Sequence, residues 1–216
     1  KGILFGNISG VKPLSTVVIG ASSTGVVAAK TAMALGSQVA LFDLDVSKLR
    51  IARQHISANL STQLIADTAL AEALKEADVV IGALSGERRA PVVVSQSMVD
   101  QMQEGSVIID ISIDSGGCIE TSELTTHDRP TTSYNGVVQY GVPNIPSRYP
   151  KSSTDALSAL ITPFVLKLSY EPQIETVLAK DATVASGVYC YKNKATKPAL
   201  NDWFGFDFHD LKLYLL

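Results

Sequence analysis

The sequence has no apolar run approaching the roughly 18 to 20 residues that cross a bilayer, and its opening KGILFGNISG has no apolar core of signal-peptide length. These absences predict a cytoplasmic chain with no membrane partner. Cysteine is scarce: Cys118 and Cys190 stand far apart, without a C-x-x-C or a neighbouring His pair. That argues against a disulfide framework and against a structural metal site, so no metal is expected and both thiols are expected to be reduced and partly buried. Charge of one sign is also missing, since 18 Lys and Arg face 21 Asp and Glu and the basic residues form no cluster. A phosphate-tracking surface for nucleic acid is therefore not expected. The only histidines, His55, His127 and His209, have no convincing nucleophile beside them and are expected to be structural or exposed.

What is present is an alternation of short apolar runs with helical patterns, beginning near residue 16. Unbroken β-branched runs suit strands buried on both faces, and their alternation with helices is the mark of βαβ units on a parallel sheet. Strands are expected at 15–20, 38–43, 62–65, 77–84 and 106–112, with a first helix after strand one that Gly36 ends and further helices near 46–59, 69–76 and 95–102. The small residues Ala28, Ala29, Ala32 and Ala34 would let the first helix pack closely. The fold class is α/β, a Rossmann-type doubly wound parallel sheet with a C-terminal helical segment. After Asp114 the composition turns to Gly, Ser and Thr and reads as loops, apart from a strand at 137–142. The prolines of PNIPSRYP then interrupt regular structure, which places a domain boundary at about residue 150. From 151 to 216 the pattern is helical, with Ser152 or Ser153 as the cap of a long apolar helix, one or two short helices over 171–200, and the aromatic tail NDWFGFDFHDLKLYLL. The chain starts at Lys1 rather than Met, and it is read as a piece of something longer.

The chemistry is carried by GASSTG, residues 20–25, between the first strand and the first helix. Backbone N–H groups and a helix N-terminus there can receive a pyrophosphate. A dinucleotide fingerprint has three glycines; here Gly20 and Gly25 hold the outer places and Ser22 the middle one. With a Cβ at position 22, either the loop sits further from the phosphates or the hydroxyl takes part. Taken alone, the loop could equally be a tight strand-to-helix turn. Asp43, at the end of the second strand, shifts the reading towards nucleotide, because a carboxylate about 20 residues on accepts from a ribose and repels a 2'-phosphate. That favours NAD over NADP. Asp114 lies just past the fifth strand, at the edge where open α/β sheets bind ligands, although spacing alone favours a loop aspartate capping a turn before Gly116 and Gly117. Asp110, inside that strand, is expected to satisfy backbone donors, and Glu87, Arg88 and Arg89 to form a solvated loop tip.

The runs ADVVIGAL, APVVVSQSMVDQMQEGSVIIDISIDSGGCIET, TTHDRP, GVVQYGVPNIP and PKSSTDAL resemble the alanine dehydrogenases and the related nucleotide-binding subunit of pyridine nucleotide transhydrogenase. The resemblance covers nearly all of the chain. It implies NAD-dependent oxidative deamination of L-alanine to pyruvate and ammonia, with Asp114 as the catalytic aspartate and Asn144 near nicotinamide and substrate. It further implies Ser23 and Thr24 in the phosphate loop, Asp43 on the ribose and Lys48 beside it. Leu84 and Ser85 are implied as cofactor contacts, Ile111, Val142 and Ile145 fall in segments lining the nicotinamide end, and a homo-oligomer is the expected assembly. Three departures accompany the resemblance: Ser22 replaces a glycine, ALSGERRAP is one residue shorter, and the substrate domain that carries the family's lysine, histidine and arginine is not in this sequence. The chain alone is therefore expected to be inactive, because hydride transfer needs its partners held in near-attack geometry. The alternatives are a transhydrogenase subunit and a nucleotide-binding module without catalysis.

Overall fold

The computed structural model describes residues 1–6, 8–86, 89–171 and 173–215. Glu87 and Arg88 of the charged loop tip lie outside the described residues, while Arg89 is exposed. By contact the chain divides into two compact units, Lys1–Ile145 and Pro146–Leu216.

In the first unit, strands and helices alternate as β1 (Ser15–Ile19), α1 (Ser23–Ala34), β2 (Gln38–Asp43), α2 (Val46–Ile56), β3 (Ser61–Leu64), α3 (Asp67–Lys75), β4 (Val79–Gly82), α4 (Gln96–Val99) and β5 (Val107–Asp110). A hairpin of β6 (Thr131–Tyr134) and β7 (Val137–Tyr140) follows. The sheet order is β3-β2-β1-β4-β5-β7-β6, so β3 and β6 are its two edges. Every pairing is parallel except β6 with β7. The chain goes one way from β1 through β2 to β3, then crosses back to lay β4 on the other side of β1. This reversal puts a crevice at the carboxyl ends of β1 and β4.

Alternation along the strands explains why helices cover both faces. Val17 and Ile19 of β1 face the cluster containing Leu70 and Leu74 of α3 with Met98 and Val99 of α4, whereas Val18 between them joins Ala29 and Ala32 of α1 and Leu49 and Ala52 of α2. Successive side chains of a strand point to opposite faces, so a run of apolar residues with no polar alternate must be covered twice. Phe42, Leu41, Val80 and Ile108 are fully buried in the same way, each contributing about 1.5 to 3 kcal/mol of apolar transfer free energy.

Two expectations need correction at this point. The stretch after Asp114 read as loops, yet TTSY forms β6, because an antiparallel partner across a tight turn gives its polar residues a ladder to join. The thiols are not both partly buried either: Cys118 is buried and Cys190, in the second unit, is exposed.

The second unit contains α5 (Pro150–Tyr170), α6 (Ile174–Lys180), α7 (Ala182–Ser186), a short hairpin of β8 (Cys190–Tyr191) and β9 (Lys194–Ala195), and α8 (Pro198–Phe204). The expected cap at Ser152 or Ser153 is displaced: α5 starts from Tyr149 with Pro150 in its first turn and no side-chain cap. Proline suits that position, since its fixed φ is helical and its missing N–H would be unpaired there anyway. The hydroxyl of Ser153 instead donates to the Pro146 carbonyl at 2.6 Å. The hairpin β8–β9 replaces part of the helical reading of 171–200, with Lys192 and Asn193 supplying two positive-φ residues in its turn. Leu157, Leu160, Ile161, Phe164 and Val165 on α5 are exposed, as are Trp203, Phe204, Phe206 and Phe208. Among the described residues, no helix is long and apolar enough to cross a membrane.

Candidate functional site

The ladder registers align the strand ends into one row: Phe42 pairs with Ile19, Ile19 with Gly82, Gly82 with Asp110, and Ile109 with Tyr140. The loops that leave this row carry the candidate residues. Gly20 leaves β1 with φ +111, and a Cβ there would lie 2.6 Å from the Leu84 nitrogen and against the Ala83 carbonyl. A Cβ on Gly25 would run into the Gly20 carbonyl oxygen, with the carbonyl carbon 3.0 Å away. Glycine is required at both outer positions because the turn, the helix and β4 press together there.

Position 22 has no such requirement. Ser22 has φ −66 and ψ 169, ordinary extended backbone, and it is the N-cap of α1. Its hydroxyl donates to the Ala83 carbonyl at 2.8 Å and accepts from the Gly25 N–H at 3.2 Å. The middle serine thus closes the helix start and ties it to the end of β4. Ser23 and Thr24, the next residues, are exposed in the first turn of α1, where helical N–H groups lack intrahelical acceptors.

Asp43 is buried at the end of β2. Its Oδ2 accepts from the Ala21 N–H at 2.6 Å and its Oδ1 from the Asp45 N–H at 2.8 Å. The carboxylate therefore holds the glycine loop against β2, and each oxygen keeps a further lone pair for a ligand hydroxyl. Asp45 caps α2, and hydrogen bonds from Ser47 hold its carboxyl below the usual range. Lys48 is exposed on the first turn of the same helix.

On the other side of β1, Leu84 is buried and Ser85 exposed just beyond β4. Past β5 the chain makes a tight turn over Ile111–Ser115. Within it the buried Ser112 hydroxyl donates to the Leu84 carbonyl at 2.8 Å. Asp114 is exposed and its Oδ1 accepts from the Asn144 N–H at 2.9 Å. Spacing had favoured a cap of the Gly116–Gly117 turn, but those two N–H groups bond to the Ile113 and Ser112 carbonyls. Asp114 reaches across to the loop after β7, where Asn144 sits with φ +51, an angle asparagine adopts more readily than most residues. Val142 is buried and Ile145 half-buried in that loop.

Beneath the turn, Asp110 is fully buried, and its Oδ2 accepts from the Cys118 N–H at 3.1 Å. Burial pushes its carboxyl above the ordinary value. The Cys118 thiol is pushed up to about 12 by its own burial and then by the adjacent Asp110 charge. This pair underpins the turn that presents Asp114. Sequence reasoning missed Ser112 and the Ala83 and Leu84 carbonyls, because a serine within an apolar run carries no visible signal of its partner. It also missed the Asp114 to Asn144 bond, which spans two loops.

A family model described as "Alanine dehydrogenase/PNT, C-terminal domain" matches residues 1–198. The chain belongs to this family. Alanine dehydrogenase of Mycolicibacterium smegmatis is 37% identical over 216 residues, all of this chain and 58% of that protein. The Bacillus subtilis alanine dehydrogenase is 35% identical over 96% of this chain and 55% of its own length. A solved L-alanine dehydrogenase superposes with a TM-score of 0.86 at 37% identity, covering 95% of this chain and 56% of the other. A transhydrogenase structure from Sinorhizobium meliloti follows at 0.57 and 28%, covering 66% and 42%. The chain thus spans a little over half the length of the alanine dehydrogenases it matches. Within this alanine dehydrogenase/PNT domain, the glycine loop, Asp43 and the Asp114–Asn144 pair stand along one carboxyl edge of the sheet.

Proposed function

We propose that this chain is the NAD-binding portion of an alanine dehydrogenase, which oxidatively deaminates L-alanine to pyruvate and ammonia. The observation that carries the reading is the row just described: one edge holds a phosphate-sized glycine turn, a buried ribose-type carboxylate and a paired aspartate in sequence from β2 to β7. The donor set fits the cofactor. The turn before α1 offers backbone N–H groups at a helix N-terminus, and no acidic residue stands in the first turn of α1.

Residues 20–25 receive the pyrophosphate, with Ser23 and Thr24 donating from the first turn while Ser22 holds the turn in shape. Asp43 accepts from ribose hydroxyls, and its charge disfavours a 2'-phosphate, selecting NAD over NADP. Lys48 stands on the same adenosine side. Leu84, Ser85, Ile111, Val142 and Ile145 wall the nicotinamide end and exclude water from it. Asp114 is held by the Asn144 N–H at Oδ1 and exchanges the reaction's proton through Oδ2. When bound, NAD supplies the hydride acceptor. In the family the substrate is held by residues outside this chain, so selection of alanine belongs to them. Association into a homo-oligomer is part of the same reading.

Titrating NADH into the folded chain and following its fluorescence tests the cofactor assignment. Saturable binding is expected, and Asp43→Asn should weaken it about tenfold or more, the scale of a lost hydrogen bond to a charged group. Absence of binding at millimolar NADH overturns the assignment. In the intact enzyme, Asp114→Asn should remove most alanine-dependent NAD reduction while leaving NADH affinity near that of the parent. An active Asp114→Asn enzyme removes the proton-transfer role.

A further inference from the structure

The sheet's ladder ends at the row Phe42, Ile19, Gly82 and Asp110. The Gly20 and Ala83 N–H groups close that row with bonds to the Phe42 and Ile19 carbonyls, and past them side chains fix loop to loop. Asp43 on β2 accepts from Ala21 in the β1 loop. Ser22 in the β1 loop donates to Ala83 at the end of β4. Ser112 in the β5 turn donates to Leu84, the next residue of the same β4 segment. Asp114 in the β5 turn accepts from Asn144 after β7. One side-chain hydrogen bond therefore joins each neighbouring pair of segments, from the candidate ribose carboxylate to the candidate proton-transfer aspartate.

The two inner bonds differ from the outer ones. Asp43, Asp114 and Asn144 carry polar groups of their own for a ligand, but Ser22 and Ser112 turn their hydroxyls onto consecutive backbone carbonyls. The β4 segment is thus gripped from both sides, by the glycine loop through Ser22 and by the Asp114 turn through Ser112. A dinucleotide lying along the edge crosses that segment between its two halves.

We propose that Ser22 and Ser112 are positioning residues that fix the spacing between the adenosine-side and nicotinamide-side loops, a proposal resting on the nucleotide function given above. Removing the Ser112 hydroxyl leaves a buried carbonyl without its donor and frees the Asp114 turn from β4. A ligand that uses both sides feels this; a ligand that uses only the adenosine side does not. Ser22 acts at the phosphate loop, which both ligands use. Replacing Ser22 by alanine removes the cap of α1 as well as the tie to β4, whereas threonine keeps a hydroxyl in the same place.

The test compares NADH with ADP, which has the adenosine and phosphates but neither the nicotinamide nor its ribose, on the full chain by calorimetry. Ser112→Ala should weaken NADH about five- to tenfold, the range for one buried hydrogen bond, and ADP less than about twofold. Ser112→Cys, which keeps the volume with a weaker donor, should shift the same ratio in the same direction. Ser22→Ala should weaken both ligands and Ser22→Thr should restore them. Ser106→Ala is the control: Ser106 donates to the Ala77 carbonyl at 2.9 Å in an equally buried bond at the opposite end of β5, so it should lower stability and leave the ligand ratio unchanged. If Ser112→Ala and Ser112→Cys keep the wild-type ratio, or if Ser106→Ala changes it equally, the positioning role is wrong while the nucleotide reading stands. A wild-type chain that binds neither ligand overturns both.

Discussion

Cys118 and Cys190 carry the same group in opposite surroundings, and reactivity should follow the surroundings. The nucleophile is the thiolate, and Cys118 is buried beside Asp110 with its pKa pushed up to about 12. A thiol reagent at neutral pH should titrate Cys190 alone in the native chain and both cysteines after denaturation. Two fast thiols in the native state would mean that the Asp110 cluster opens readily. Asp110 itself links the fold to pH. Burial raises its folded pKa above the ordinary 3.8, so the native state keeps a proton that the unfolded chain has released. Its stability contribution is fully present below 3.8 and falls as pH rises through the raised value. Asp110→Asn cannot ionise, so its stability relative to wild type should climb as pH rises from about 4 towards neutrality. Urea unfolding of both proteins across that range measures this, and a constant difference would remove burial as the cause. At this scale sequence alone could nominate Asp43, Asp114 and Asn144 but not their partners, because the bonds to Ala21 and Asn144 join segments that meet only after the sheet forms.

Elements were legible where their periodicity was strong. The five inner parallel strands and the helices between them lie close to where apolar runs and helical patterns put them, because a strand covered on both faces leaves an unbroken signature. The hairpin was harder. β6 reads TTSY, with exposed residues alternating with half-buried ones, and such a strand resembles a loop in composition. Its one clear sign was Asn135-Gly136, whose φ values of 47 and 77 make the turn that suits a two-residue hairpin. Gly136→Ala should test this element. A Cβ there would lie 2.6 Å from the Glu104 Cγ at φ +77, and a non-glycine residue in that region costs about 1 to 3 kcal/mol. The urea midpoint should fall accordingly while NADH affinity, which the proposed site would set at the other end of β7, stays within about twofold. An unchanged midpoint would mean that the hairpin tolerates another turn. Helix α5 shows a different limit: a cap was read from Ser152 and Ser153, but Pro150 fixes the first turn earlier.

For the whole molecule, the informative feature is how much apolar surface the second unit exposes. Leu157, Leu160, Ile161, Phe164 and Val165 lie exposed on one helix, and contiguous apolar surface beyond a few hundred Å² is unusual on a monomer. The isolated chain should bind an apolar fluorescent dye strongly, and Leu160→Lys with Phe164→Lys should cut that signal at least about twofold. A signal untouched by both changes would place the apolar surface elsewhere. The sheet makes the opposite provision at its margins. Its outermost strands, β3 and β6, are only four residues each and are built from serine, threonine and glutamine with single Leu64 and Tyr134 residues. Short polar edges are poor templates for an incoming strand. Crowding the protein during expression or refolding should therefore drive it into associations through side-chain faces, which detergent or a partner domain can reverse, rather than into fibrillar extension of the sheet.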